Sequence, residues 1–185
     1  LSAVDPRGGP AASGRRLLDN SSRLCATVRH LLTLGLIPTP PDTAALDLAC
    51  SSLQLTLRYP APQQPRQAMT LRDRAQSAAE LLISSVEPAN ADEQTLVDRT
   101  ARLLQQLPQR SPAAPEARLL ADAVNLEDFG VIGLFTLMAS VALAGDGVSQ
   151  LAEACATREH YGYWDARLAR FHFEPVRRMA EQRLA

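Results

Sequence analysis

The chain has 185 residues, of which 46% are hydrophobic and 21% are charged, and its formal net charge is -1. This length can bury a full core and this apolar content excludes a wholly disordered chain. Acidic and basic residues are mixed along the chain without a basic patch, so the composition argues against binding of nucleic acid. Leu and Ala are abundant while aromatic residues reach only 4%, which favours helices over strands.

The first 15 residues are rich in Gly, Pro, Ser and Ala and show no apolar period. This composition predicts an N-terminal arm that is flexible or packs on a partner, followed by one helical domain over residues 16–185. The arm lacks the charged and apolar regions of a signal peptide. The three cysteines, Cys25, Cys50 and Cys155, lie far apart in apolar stretches. That spacing predicts buried thiols and a cytoplasmic location.

Apolar residues at helical spacing predict four helices before residue 110. Capping residues mark where each helix begins, and proline-rich loops such as the one at residues 59–69 separate them. The third start is a capping box. The predicted starts are Asn20 or Ser21, Asp42 or Thr43, Thr70 with Asp73, and about Asp92, with Gly35 ending the first helix and Leu107 the fourth.

The segment Phe129–Gly145 carries no charge and approaches the length of a minimal membrane span. A central helix that is buried on all sides has the same composition. Because the segment contains glycines and lacks basic flanks, we predict a buried helix over residues 126–144 and no membrane span. Pro115 is placed in the first turn of the preceding helix. After a turn at residues 145–147, the remainder predicts two or three shorter helices, of which Pro175 opens the last.

Two groups of side chains are candidates for binding. The first is a set of three carboxylates within two helical turns, which either hold a metal, act as acid and base, or form a solvated helix face. The second is an aromatic-rich stretch at residues 158–173, which serves either as a binding surface or as the closure of a small core. The candidates are Asp122, Glu127, Asp128, Arg158, His160, Tyr161, Tyr163 and Trp164.

The three histidines, His30, His160 and His172, show none of the spacings of known metal motifs. No serine lies in the strand-to-helix elbow that activates a nucleophile. The sequence therefore predicts no metal, no other cofactor and no catalytic residue.

The stretch DAVNLEDFGVIG at residues 122–133 resembles the last conserved motif of the HD-domain metal-dependent phosphohydrolases. Asp122, Ala123, Leu126, Gly130 and Gly133 follow that pattern in order. The C-terminal RRMAEQR is similar to the closing helix of the family. The resemblance implies an all-α, single-domain helical bundle of HD type.

In that family a metal is held by an early His, an adjacent His-Asp pair at the end of the second helix, and a late Asp. Asp122 matches the late Asp, but Leu53 and Gln54 stand where the pair is expected. Leu offers no lone pair, and a single carboxylate does not retain a divalent cation to activate water. We therefore expect a degenerate, catalytically inactive member that acts as a protein-binding, scaffolding or regulatory module. Its partner is another protein or a second copy of the chain.

Two other functions stay open. One is a metal-dependent phosphohydrolase with a rearranged site, in which a histidine joins the carboxylates around Asp122. A histidine close enough to Asp122 to share a cation would favour this enzyme. The other is a small-molecule sensor that uses the emptied metal pocket, with Arg118 or Arg158 contacting an anion.

Overall fold

The computed structural model describes residues 23–56 and 70–185. Over these two stretches the chain forms helices joined by turns and short loops, without a β-strand. The prediction of an all-helical protein is confirmed at that level. The predicted arm, the caps at Asn20 and Ser21 and the loop at residues 59–69 lie outside the described residues.

The helix bounds agree with the starts predicted from capping residues. Asp42 accepts a hydrogen bond from the Ala45 N–H, and Thr70 and Asp73 form the predicted capping box. The helices are α1 (residues 23–33), α2 (Thr43–Leu55), α3 (Leu71–Ser85), α4 (Ala91–Gln106), α5 (Pro115–Leu126), α6 (Val131–Ala144), α7 (Val148–His160), α8 (Tyr163–Leu168) and α9 (Glu174–Leu184).

The chain divides into two compact units, of which the first ends at Leu120 and the second is Ala121–Ala185. In the first unit α2, α3 and α4 pack against one another. The predicted apolar stripes supply its core, since each stripe repeats every three to four residues and so lies on one helix face. The buried residues are Leu24, Val28, Leu31, Leu46, Cys50, Leu53, Ala75, Ala78, Leu82, Leu103 and Leu104.

The second unit has a smaller core around Phe129, which is almost fully buried. The Phe129 ring lies 5.4 Å from the Trp164 ring and 5.6 Å from the Phe171 ring, measured between centroids, and both pairs are tilted. Val176 and Ala180 of α9 are also buried. Trp164 and Phe171 of the C-terminal stretch therefore contribute to this core, whereas Tyr161 is 78% exposed.

The prediction of one buried helix over residues 126–144 is wrong. α5 ends at Leu126, and α6 begins at Val131 after a turn in which Gly130 has φ +75°. A Cβ at Gly133 would lie 1.9 Å from the Asp128 carbonyl oxygen, so only glycine permits this turn to approach α6. Four large side chains of α6 are exposed: Val131 by 68%, Leu134 by 48%, Phe135 by 63% and Met138 by 41%. A uniformly apolar helix has no polar face from which its buried side can be predicted.

Among the described residues, no helix combines the length and the apolar content that crossing a membrane requires.

Candidate functional site

Asp122 lies on α5 and is fully buried. Its Oδ1 accepts from the His172 backbone N–H at 2.9 Å, and its Oδ2 accepts from the Phe173 backbone N–H at 2.9 Å. The His172 N–H is shared with Oδ2 at 3.1 Å, and the His172 ring Nδ1 lies 2.8 Å from Oδ1. One carboxylate thus joins α5 to the two residues that precede α9.

Opposing influences act on the Asp122 carboxyl. Burial raises its pKa above the ordinary value, and the hydrogen bonds from His172 and Phe173 act in the opposite direction. Burial has the larger effect because an ionised carboxylate loses its hydration when it is taken out of water.

The enzyme alternative requires a histidine close enough to Asp122 to share a cation with it. His172 is in direct hydrogen-bond contact with Asp122, with 2.8 Å between Nδ1 and Oδ1, so a histidine does lie close enough to Asp122 to share a cation, and this proximity favours the enzyme alternative. Both carboxylate oxygens already accept protein donors. Within residues 23–56 and 70–185, no group of three or more His, Cys, Asp or Glu side chains is arranged to hold a metal.

Asp128 belongs to a second polar cluster in the turn between α5 and α6. Its Oδ2 pairs with the Arg167 guanidinium and lies 3.5 Å from the Tyr163 hydroxyl. The Asn125 amide donates to the Arg167 carbonyl oxygen at 3.0 Å. Arg158 stacks on the Tyr163 ring, 4.8 Å from its centroid. This cluster fixes α8 against the α5–α6 turn.

The eight predicted binding candidates therefore do not form one site. Asp122 is engaged at the start of α9, and Asp128, Arg158, Tyr163 and Trp164 belong to the second cluster. His160 and Tyr161 stack on each other with ring centroids 5.0 Å apart, and both are exposed. Glu127 is half-buried in the turn.

Leu53 and Gln54, the residues placed at the metal-ligand pair by the resemblance, are both buried on α2. The Gln54 Oε1 atom is buried and has no hydrogen-bond partner among the residues that the structure describes. Of the other two histidines, His30 is exposed on α1 and His160 is exposed at the end of α7.

Sequence reasoning missed the α6–α7 apolar surface, which we define as Val131, Leu134, Phe135, Met138 and Val148. The four residues on α6 follow the spacing i, i+3, i+4, i+7, and Val148 at the start of α7 is 83% exposed. The sequence contains this spacing, but the neighbouring positions of α6 are also apolar or small, so the spacing does not mark one face of the helix.

Searches of family models, of curated proteins and of solved structures found no match to this chain. The HD type of the fold accordingly stays a prediction from residues 122–133.

Proposed function

We propose that this chain is a non-catalytic protein-binding module that assembles with a second copy of itself through the α6–α7 apolar surface. The observation that carries the proposal is the exposure of Val131, Leu134, Phe135 and Met138 on one face of a helix. Exposed apolar groups at i, i+3, i+4 and i+7 are the pattern by which a helix contacts a protein partner. Contiguous apolar exposure of this kind is uncommon on a surface that stays in water.

The packing of the two helices supports the need for a partner. α7 has no buried residue. Among the α6 residues whose burial is described, Gly133 alone is buried. Helices of this length are marginal in isolation, because most helical stability in proteins comes from burial of an apolar face. A layer of two helices reaches a stable arrangement when another layer covers that face.

A second copy is the partner that the chemistry of the surface favours. No residue of α6 is charged, so two copies of the helix meet without repulsion. A charged partner would find no opposite charge on this helix to pair with. When α6 and α7 of one copy face α6 and α7 of a second copy, the four helices form a bundle. Apolar positions of all four helices then share one core.

The area that a stable dimer must bury requires contacts from both α6 and α7. Each helix is about 20 Å long at 1.5 Å per residue. A stable dimer buries about 800 Å² per partner, which one helix of this length does not supply by itself. We therefore include α7 in the proposed contact, with Val148 as its exposed apolar residue.

The hydrogen bonds of Asp122 support a non-catalytic role. Its oxygens accept from two backbone N–H groups and contact the His172 ring, and Leu53 and Gln54 stand at the sequence positions where the family resemblance expects the His-Asp pair. A carboxylate used in this way orients two helices and has little capacity left for a cation.

The test is the molar mass of the full chain by size-exclusion chromatography with light scattering, in reducing buffer and over a range of concentrations. We expect a dimer for the natural sequence. A Phe135→Ser, Met138→Ser variant should dissociate. Burial of a fully exposed apolar side chain contributes about 1.5–3 kcal/mol, and Phe135 and Met138 are only 63% and 41% exposed, so each contributes about half of that. The two substitutions remove four such side chains from the dimer and should weaken it by a factor of about 10² to 10⁴.

Ile83→Ser is the matched control, because Ile83 is 57% exposed on α3 in the first unit. This variant should remain a dimer. Circular dichroism must show equal helix content in all three proteins. A monomer of natural sequence at every concentration, or a dimer that survives both serine substitutions, would refute self-assembly through this surface.

A further inference from the structure

Two of the three cysteines meet across a pair of helices in the first unit. Cys25 lies on α1 and is half-buried, and Cys50 lies on α2 and is fully buried. The Cys50 side chain lowers the pKa of the Cys25 thiol, so the two thiols are within interaction range of each other. The Cys25 Sγ also lies 4.0 Å from the Asp47 carbonyl oxygen, one turn before Cys50. Two sulfur groups that are distant in the sequence are thus neighbours in the fold.

The surrounding residues hold this contact in place. Leu24 beside Cys25 is fully buried, as are Ala49 beside Cys50 and Leu46 one turn earlier on α2. Arg29 of α1 forms an ion pair with Asp47 of α2 at 2.6 Å. The two helices are therefore joined by a packed apolar contact and by a polar bridge, with the thiols in the same region.

The environment makes the two thiols unequal. Burial raises the pKa of the Cys25 thiol, while the Cys50 side chain and the positive charge of Arg29 oppose that rise. Cys25 retains access to water, whereas Cys50 has none. A reagent from solution therefore meets Cys25 first.

We propose that Cys25 and Cys50 are a dithiol pair that a small disulfide oxidises to an intramolecular disulfide joining α1 to α2. The inference is independent of the proposed self-assembly, since it concerns helices outside the α6–α7 apolar surface.

The exchange has two steps. The Cys25 thiolate attacks one sulfur of the small disulfide, the reagent's S–S bond breaks, and one small thiolate leaves. The Cys50 thiolate then attacks the Cys25 sulfur of the mixed disulfide and expels the second small thiolate. The protein loses two electrons and two protons, and the reagent gains both as two thiols. In the product the two sulfur atoms lie about 2.05 Å apart, the length of a disulfide.

Cys155 complicates the measurement, because it is exposed on α7 and reacts in its own right. The test therefore uses the full chain carrying Cys155→Ser, treated in its folded state with oxidised glutathione. Remaining thiols are then alkylated, and intact mass and peptide mapping are recorded. We expect loss of both thiols, no retained glutathione, and one cross-linked peptide pair containing Cys25 and Cys50.

Two further variants in the same background separate the roles of the thiols. With Cys50→Ser, the first step should stop at a stable glutathione adduct on Cys25. With Cys25→Ser, the buried Cys50 should stay unmodified for as long as the protein is folded. A lasting glutathione adduct on Cys25 when Cys50 is present would overturn the proposal. So would a cross-link that appears only after addition of denaturant.

Discussion

Replacement of Asp122 by alanine should destabilise the second unit, because this carboxyl group makes hydrogen-bond contacts with three groups at the start of α9. It accepts from the backbone N–H groups of His172 and Phe173, and it contacts the ring Nδ1 of His172. Alanine leaves all three groups without that partner, and it leaves a space where a fully buried side chain had been.

The magnitude follows from the burial of the donors. An unsatisfied buried donor costs about 1–3 kcal/mol. His172 and Phe173 are only half-buried, so water can reach them and the lower end of that range applies. Removal of the buried carboxylate also returns part of its desolvation cost. We expect a net loss of about 2–4 kcal/mol in the free energy of unfolding for Asp122→Ala. Asp122→Asn, which keeps one acceptor oxygen, should lose about half as much.

Urea unfolding followed by circular dichroism at pH 7 measures this loss. With a slope of about 2 kcal/mol per molar urea, the alanine variant should unfold at about 1–2 M lower urea. Asp146→Ala is the control, because Asp146 is exposed in the turn before α7 and its loss should change stability by less than about 0.5 kcal/mol. Equal stability of the natural and Asp122→Ala proteins, or a gain, would refute the role assigned here. A gain is typical of residues kept for function at a cost in stability.

The difference in stability between the natural protein and Asp122→Asn should also depend on pH. Because the pKa of Asp122 is raised in the folded state, the part of its contribution that depends on protonation is fully present below the ordinary value of 3.8 and is lost as pH rises through the folded pKa, while its hydrogen bonds with the backbone remain. Asp122→Asn has no such titration. The stability advantage of the natural protein over Asp122→Asn should therefore narrow as pH rises above about 4. Parallel stability curves across that interval would contradict the raised pKa.

Two local substitutions test the backbone and the helix caps. Gly130→Ala should lower the free energy of unfolding by about 1–2 kcal/mol, because Gly130 has φ +75°. The loss should be larger than for Gly145→Ala. A Cβ at Gly130 would lie 3.3 Å from the Arg183 side chain, whereas a Cβ at Gly145 would have nothing within 4 Å. Equal thermal shifts would contradict that contact. Thr70→Ala should cost about 1 kcal/mol through loss of the capping box. Thr95→Ala, whose hydroxyl bonds only within its own helix, should cost less in the same melting experiment.

Features that depend on neighbouring residues could be predicted from the sequence alone. The capping box at Thr70, the cap at Asp42 and the positive φ of Gly35 all appear where the spacing placed them. The apolar repeats of α1 and α2 predict burial of Leu24, Val28, Leu31, Leu46, Cys50 and Leu53, and all six are buried, since an apolar repeat specifies which side of a helix faces the core. Leu55, which the repeat also places on the buried side, is 40% exposed. These signals act over about one helical turn, and the chain carries them wherever the helix lies.

The position of α6 could not be predicted in this way. Its 14 residues are apolar or small at every position, so helical propensity was clear but no face was marked for burial. The break after Leu126 depends on Gly130 and on the close approach of Gly133 to the Asp128 carbonyl, which composition alone does not reveal.

The sequence by itself determined the helical class, most helix starts and most of the buried apolar positions of the first unit. Tertiary structure alone decided what Asp122 does, because its partners His172 and Phe173 lie about 50 residues further along the chain. It also brought Cys25 to Cys50 and left Phe135 exposed. Contacts between distant residues depend on how helices pack, and that packing is the sum of many weak apolar contacts that no short motif encodes.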